Sequence, residues 1–276
     1  MMGFDRRSFL GNSALCGLAA AIPGEVQALT ASAGVLPDLG ARAVPIGAEE
    51  RAARIANAQR LMRAAGIGAL LVEPGSSLVY FSGIEWWRSE RMTAALIPVE
   101  GEAIIVTPFF EAPSIRESLA VPAEVRTWNE DENPLRLVAE WLKQNKLERR
   151  PVAIEETVRN FIVDGLQRAL PGVKTVSGAP IVRGCRMHKS PAEIALMQIA
   201  ADITVAAFRH AASQIERGMS PQDIGRIIQS ATTALGGTSE LPLILLGEAS
   251  AYPHGSGKRQ QARDGEVVLI DGGCSL

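Results

Sequence analysis

Apolar positions along this chain change their period several times, and each change marks an element. From Ala48 onward, Ile55, Ala58, Met62 and Ala65 recur at spacings of three and four, which predicts a helix stopped by Gly66. Ala69 to Val72 is a continuous apolar run, short enough for a buried strand. Met92 to Val99 and Ala103 to Val106 read as two strands of a hairpin, with Glu100-Gly101 at the tight turn between them. Further strands are expected at Val125 to Trp128 and Val152 to Ile154, each followed by a helix, the second helix being broken at Pro171-Gly172. Strands alternating with helices predict an α/β domain over residues 48–183.

The pattern then lengthens, and residues 184–276 read as a second unit. Ser190 suits a helix N-cap, Pro191 the first helical position, and Glu193 closes a capping box. Ile194, Met197, Ala201, Val205, Phe208, Ala212 and Ile215 follow at helical spacing, so this stripe is expected to face the core. Gly218 stops that helix and Ser220-Pro221 starts another, whose apolar face is Ile224, Ile227, Ile228, Ala231 and Leu235 before Gly236-Gly237. Two such helices need a sheet to cover. Leu241 to Leu246 and Val267 to Ile270 supply part of one.

Composition narrows the function classes. The 276 residues are 47% hydrophobic, enough for two cored domains. A net charge of −2 with no basic cluster in the body argues against nucleic acid as a partner. Of three cysteines, Cys16 lies near the start, leaving Cys185 and Cys274 as free, partly buried thiols. Asp5-Arg6-Arg7-Ser8-Phe9-Leu10 is a twin-arginine pattern, although Ser or Thr is usual where Asp5 stands. Ala14 to Ile22 is an apolar stretch too short to span a bilayer, and Val26-Gln27-Ala28 offers a small-x-small cleavage site. Residues 1–28 are therefore expected to be a twin-arginine signal peptide, 29–47 a flexible lead-in, and the mature protein periplasmic or secreted without integral membrane contact.

The candidate chemistry sits near the end. Val267 to Ile270 delivers one carboxylate, Asp271, onto Gly272-Gly273, and a buried lone carboxylate is costly without a cation. Seventeen residues earlier, Tyr252-Pro253-His254-Gly255-Ser256 places a histidine in a Pro/Gly-punctuated loop. A loop histidine beside a strand-end aspartate is a beginning for a hydrolytic metal site, His254 being suited to hold a carbonyl or protonate a leaving nitrogen. His188 and His210 read as structural, the first before a capping box and the second within a helix. Trp86-Trp87, followed by Arg88, Glu90 and Arg91, suits either a substrate mouth or a subunit contact such as that of a homodimer.

Four segments in order resemble one known family. Cys185-Arg186-Met187-His188-Lys189-Ser190-Pro191-Ala192-Glu193-Ile194 is similar to the entry into the catalytic domain of the pita-bread metallopeptidases, which include prolidase, aminopeptidase P and the non-peptidase creatinase. Gly218-Met219-Ser220-Pro221, Pro253-His254-Gly255 and Val268-Leu269-Ile270-Asp271-Gly272-Gly273 resemble that family's inter-helix turn, histidine loop and first ligand strand. The resemblance implies a creatinase-like N-terminal α/β domain, then the first part of an α+β pita-bread catalytic domain over 184–276. It implies Asp271 as a metal ligand and His254 as the catalytic histidine facing substrate. The complete family enzyme carries two divalent metal ions (Mn, Co or Zn) and hydrolyses the bond before proline in proline-containing peptides. The family's second aspartate, ligand histidine and two ligand glutamates fall beyond Leu276, so the isolated chain is expected to be inactive. A creatinase-like hydrolase and a catalytically dead remnant are the alternative readings.

Overall fold

The structure is a computed structural model that describes residues 36–276. The twin-arginine stretch, its apolar run and Cys16 lie outside the described residues. Within residues 48–186 the elements are α1 (Ala48–Ala64), β1 (Ala69–Val72), α2 (Ser76–Ser82), β2 (Ala94–Pro98), β3 (Ala103–Pro108), α3 (Ala112–Ser118), β4 (Ala123–Trp128), α4 (Pro134–Gln144), β5 (Val152–Ile154), α5 (Asn160–Ala169), β6 (Thr175–Ser177) and α6 (Ala179–Arg186). The expected helix from Ala48, the hairpin and the strands at 69–72, 125–128 and 152–154 are all present. Gly101 carries the hairpin turn at φ +89°, a conformation that favours glycine.

Six strands form one mixed sheet in the order β4-β3-β2-β1-β5-β6. β1 pairs antiparallel with β2 and parallel with β5, in the register Leu70↔Ile97 and Leu70↔Ala153. Every residue of β1, β2 and β3 is buried, as continuous apolar runs require when helices cover both faces. Phe81, Met62, Leu96 and Leu142 are among the largest fully buried side chains of this core. Leaving β1, the chain builds the sheet to one side through β2, β3 and β4. It returns at β5 to build the other side, so the carboxyl ends of β1 and β5 part company at the sheet's top.

Residues 191–275 carry α7 (Pro191–Ala212), α8 (Pro221–Ala234), β7 (Thr238–Ser239), β8 (Leu243–Leu246), a 3-10 turn at Gly247–Ala251, β9 (Val268–Asp271) and β10 (Cys274–Ser275). Both helices open on complete capping boxes: Ser190 Oγ accepts from Glu193 N and Ser220 Oγ from Asp223 N. β8 pairs antiparallel with β9, Leu243 opposite Asp271, and β7 pairs with β10. A second, smaller core gathers Ala211, Ile224, Ile228, Ile244, Leu246 and Ala262. Leu39 N and Gly40 N, within the 29–47 stretch, donate to Leu235 O at the end of α8. Gly236 makes that approach possible, since it sits at φ +87° and a Cβ there would fall 2.9 Å from Gly40 Cα.

Three expectations need correction. The stripe of α7 expected in the core is largely exposed, with Ile194 at 56%, Met197 at 57% and Val205 at 48%. The buried face is the adjacent one, Ile199, Ile203, Ala207 and Ala211. This helix is apolar nearly all round, so periodicity alone leaves two faces to choose between, and packing against α8 selects one. It is also the one helix among the described residues long and apolar enough, by length and composition, to cross a membrane. Helix α7 ends at Ala212, short of Ile215. The strand expected over Leu241 to Leu246 is shortened to Leu243–Leu246, beginning after Pro242, with Leu241 87% exposed.

One polar network joins the two halves. Arg54, on α1 and only 7% exposed, bonds Glu50 at 2.7 Å, Glu193 at 3.1 Å and the Tyr80 carbonyl at 3.0 Å. Ser190 Oγ donates to Glu50 Oε1 at 2.8 Å, so the cap of α7 is tied to α1. Burial pushes the Glu50 carboxyl up, but bonds from Ser190 and Arg54 outweigh it and hold the group below its ordinary value.

Candidate active site

β8 and β9 place the candidate residues. Asp271 is the last residue of β9 and stands opposite Leu243, the first of β8. After β8 the chain turns through Gly247–Ala251, and Gly255 N donates to Tyr252 O at 3.1 Å, closing a tight turn around Pro253 and His254. A Cβ on Gly255 would lie 3.7 Å from Leu243 Cδ1, so the histidine loop and the end of β9 share Leu243 as a neighbour. Gln260 anchors the loop's far side by accepting from Leu246 N at 2.9 Å. Beneath the loop lies a cavity of about 780 Å³, walled by Ser220, Asp223, Gly255, Ser256 and Lys258.

The structure does not bury Asp271. The carboxylate is exposed, as is His254, and neither hydrogen-bonds the other. Val268 is 37% exposed and Val267, just outside the strand, 61%. An apolar run of four looks the same whether its strand is covered or lies at an edge, and among the described residues β9 has only β8 beside it. Exposed in this arrangement, Asp271 needs no cation to offset burial.

Hard divalent ions take several oxygen ligands, and a dinuclear pair takes more. Among the described residues no group of three or more His, Cys, Asp or Glu side chains comes together to hold a metal ion. These residues do not fit a two-metal centre. Asp271 and His254 are single donors on neighbouring segments.

The other sequence candidates are accounted for. His210 lies within α7 and bonds Gln214 at 2.6 Å, one helical turn on, while His188 is exposed just before the cap of α7. Cys185 is buried and burial pushes its thiol up, an inert arrangement, and Cys274 is half-buried against α7. Trp86 and Trp87 stack with ring centroids 4.9 Å apart, and Trp87 is 71% exposed. They line a larger cavity of about 1260 Å³ whose walls include neither His254 nor Asp271. The Arg54 network had only a faint signal in the sequence, a Glu50/Arg54 pair at helical spacing.

With this geometry in hand, comparison with known proteins is decisive. The creatinase/prolidase N-terminal domain matches residues 54–188, and metallopeptidase family M24 matches residues 195–276. The chain belongs to the pita-bread metallopeptidase family. An uncharacterized peptidase of Schizosaccharomyces pombe is 33% identical over 257 residues, covering 87% of this chain and 55% of the relative. The probable dipeptidase PepE of Mycobacterium tuberculosis is 27% identical over 228 residues, covering 81% of this chain and 60% of the relative. Among solved structures, dipeptidase PepE from Mycobacterium ulcerans aligns with a TM-score of 0.71 at 26% identity, over 83% of this chain and 62% of that one. Prolidase from Thermococcus sibiricus aligns with a TM-score of 0.73 at 22% identity, over 84% of this chain and 63% of that one, and shows the shared fold. The chain spans less than two thirds of the length of each of these proteins.

Proposed function

We propose that this polypeptide belongs to a peptidase of the Xaa-Pro type, exported by the twin-arginine route, that hydrolyses the bond before proline. The observation that carries the reading is the placement of the family's histidine loop and first ligand strand around one residue, Leu243. In this reading His254 faces the substrate, where an imidazole can hold a peptide carbonyl or donate to the leaving nitrogen. In the complete family enzyme Asp271 would supply one donor to a divalent metal centre, whose chemistry there would be to activate a water. Dipeptidase relatives support peptides as the substrate class.

The 276 residues alone are a catalytically silent member of the family in this proposal. The specific support is the lack of any three-ligand cluster among the described residues. A test is direct: incubate the purified chain with Xaa-Pro dipeptides and longer Xaa-Pro peptides, with manganese, cobalt or zinc added. The expected result is no turnover above the metal-only blank. Turnover that disappears in Asp271→Ala would refute the silent reading and leave the peptidase reading standing.

A further inference from the structure

The 1260 Å³ cavity opens where the carboxyl ends of parallel β1 and β5 diverge, the position at which open α/β sheets commonly receive ligands. Its walls carry six cations against four carboxylates. Three of those carboxylates are committed to arginines: Glu73 to Arg159, Glu156 to Arg183, and Glu193 to Arg54. The fourth, Glu155, accepts from Ser77 Oγ at 3.1 Å and Thr157 N at 2.8 Å.

Four of the cations, by contrast, bond only neutral groups among the described residues. Arg186 donates to Ser77 Oγ and Ser76 Oγ, each at 2.9 Å. Arg51 donates to the Val79 carbonyl at 2.7 Å and Lys189 to the Arg186 carbonyl at 2.9 Å. Arg88 reaches the Pro74 carbonyl at 3.0 Å and the Thr157 hydroxyl. The Nε groups of Arg51 and Arg54 are also shut off from solvent with no partner among the described residues. Burial, with Arg54 beside it, pushes the Arg51 guanidinium below its ordinary value. No carboxylate among the described residues bonds these four cations directly, although Ser77 and Thr157 link Arg186 and Arg88 to Glu155, and cations so gathered in a concave wall favour an anion. On the same wall, the stacked Trp86-Trp87 pair presents an exposed ring face.

We propose that this cleft binds a small planar-ring oxyanion, its carboxylate or phosphate held by Arg186, Lys189 and Arg88 and its ring laid on Trp87. The site is separate from the His254 loop and asks nothing of a metal. Trp87 supplies the area and the cations the specificity, the division of labour usual in ligand pockets.

The test uses the full chain with phenyl phosphate and phenylacetate as probes and benzyl alcohol as the uncharged control, followed by calorimetry and tryptophan fluorescence. At least one anionic probe should bind saturably and quench fluorescence, and the tighter of the two identifies the anion. Affinity should fall by roughly tenfold or more in the Arg186→Gln/Lys189→Gln double variant, the effect of losing a hydrogen bond to a charged group. It should also weaken with added salt. Arg186→Lys, which keeps the charge, and a thermal melt of each variant separate loss of binding from loss of fold. Absence of saturable binding by either anion, equal affinity for benzyl alcohol, or unchanged affinity in a folded double variant would overturn the proposal.

Discussion

Replacing Arg54 with alanine should loosen the joint between α1 and α7. The guanidinium is 7% exposed and bonds two carboxylates and a backbone carbonyl, while its plane lies 4.1 Å over the Tyr80 ring. Removal leaves Glu50 and Glu193 near each other with Ser190 between them and no cation to separate them. Breaking a buried pair from one side costs about 3–5 kcal/mol, because the surviving charge stays desolvated. The two glutamates are 24% and 23% exposed, so water reaches them and the low end, about 3 kcal/mol, is the expectation. With a urea slope of about 2–3 kcal/mol per M, the unfolding midpoint should fall by about 1–1.5 M. The loss should also depend on pH. The Glu50 carboxyl is held below its ordinary 4.5, so its contribution is present above that value and disappears as pH falls through the folded-state value. The gap between wild type and Arg54→Ala should thus be wide at pH 7 and narrow in acid, once pH falls through the lowered Glu50 value. Urea unfolding followed by circular dichroism at both pH values measures it. A midpoint unchanged by the substitution, or a gap equal at both pH values, refutes the reasoning.

Three further outcomes are expected. Ser190→Ala removes both the α7 cap and the bond to Glu50, and thermal melts should register a loss of about 1–2 kcal/mol. Met197→Gln and Ile194→Gln, on the exposed face of α7, should change stability by less than about 0.5 kcal/mol while raising the concentration at which the protein aggregates in light scattering. Lysine at both Arg6 and Arg7 should abolish export, and unchanged periplasmic accumulation in cell fractionation would count against the twin-arginine reading.

The first half of the chain was legible because its signals agree with one another. Ala69–Val72 is apolar throughout and is buried throughout, and Glu100-Gly101 marks a turn whose glycine does adopt positive φ. Ser190 announced a capping box and Ser220-Pro221 a helix start; both are present, and Ser220 also forms a capping box with Asp223. Short elements escaped the reading: α2, α3 and β6 span seven, seven and three residues, too few for a period to declare itself. Helix α7 misled for the opposite reason, since an excess of apolar positions leaves the buried face undetermined until α8 and β10 pack against it.

The candidate site divides along the same line between local and assembled features. A histidine in a Pro-Gly turn and an aspartate at a strand end are local, and the structure shows the turn and the strand end, with both side chains exposed rather than buried. Donor convergence is not local. A metal centre needs side chains from several strands to meet within a few Å, and each strand's facing depends on the strands beside it. Among the described residues β9 pairs with β8 alone, Val268 is partly open to solvent, and no group of three or more metal-ligating side chains gathers at Asp271. The cleft between β1 and β5 is assembled in the same sense. Arg51, Arg88, Arg186 and Lys189 come from α1, a loop and the α6–α7 junction, and no spacing in the sequence joins them. Their meeting follows from the reversal of strand order at β1. A family motif can name the chemistry of one residue, but a ligand set is a property of the sheet that gathers it.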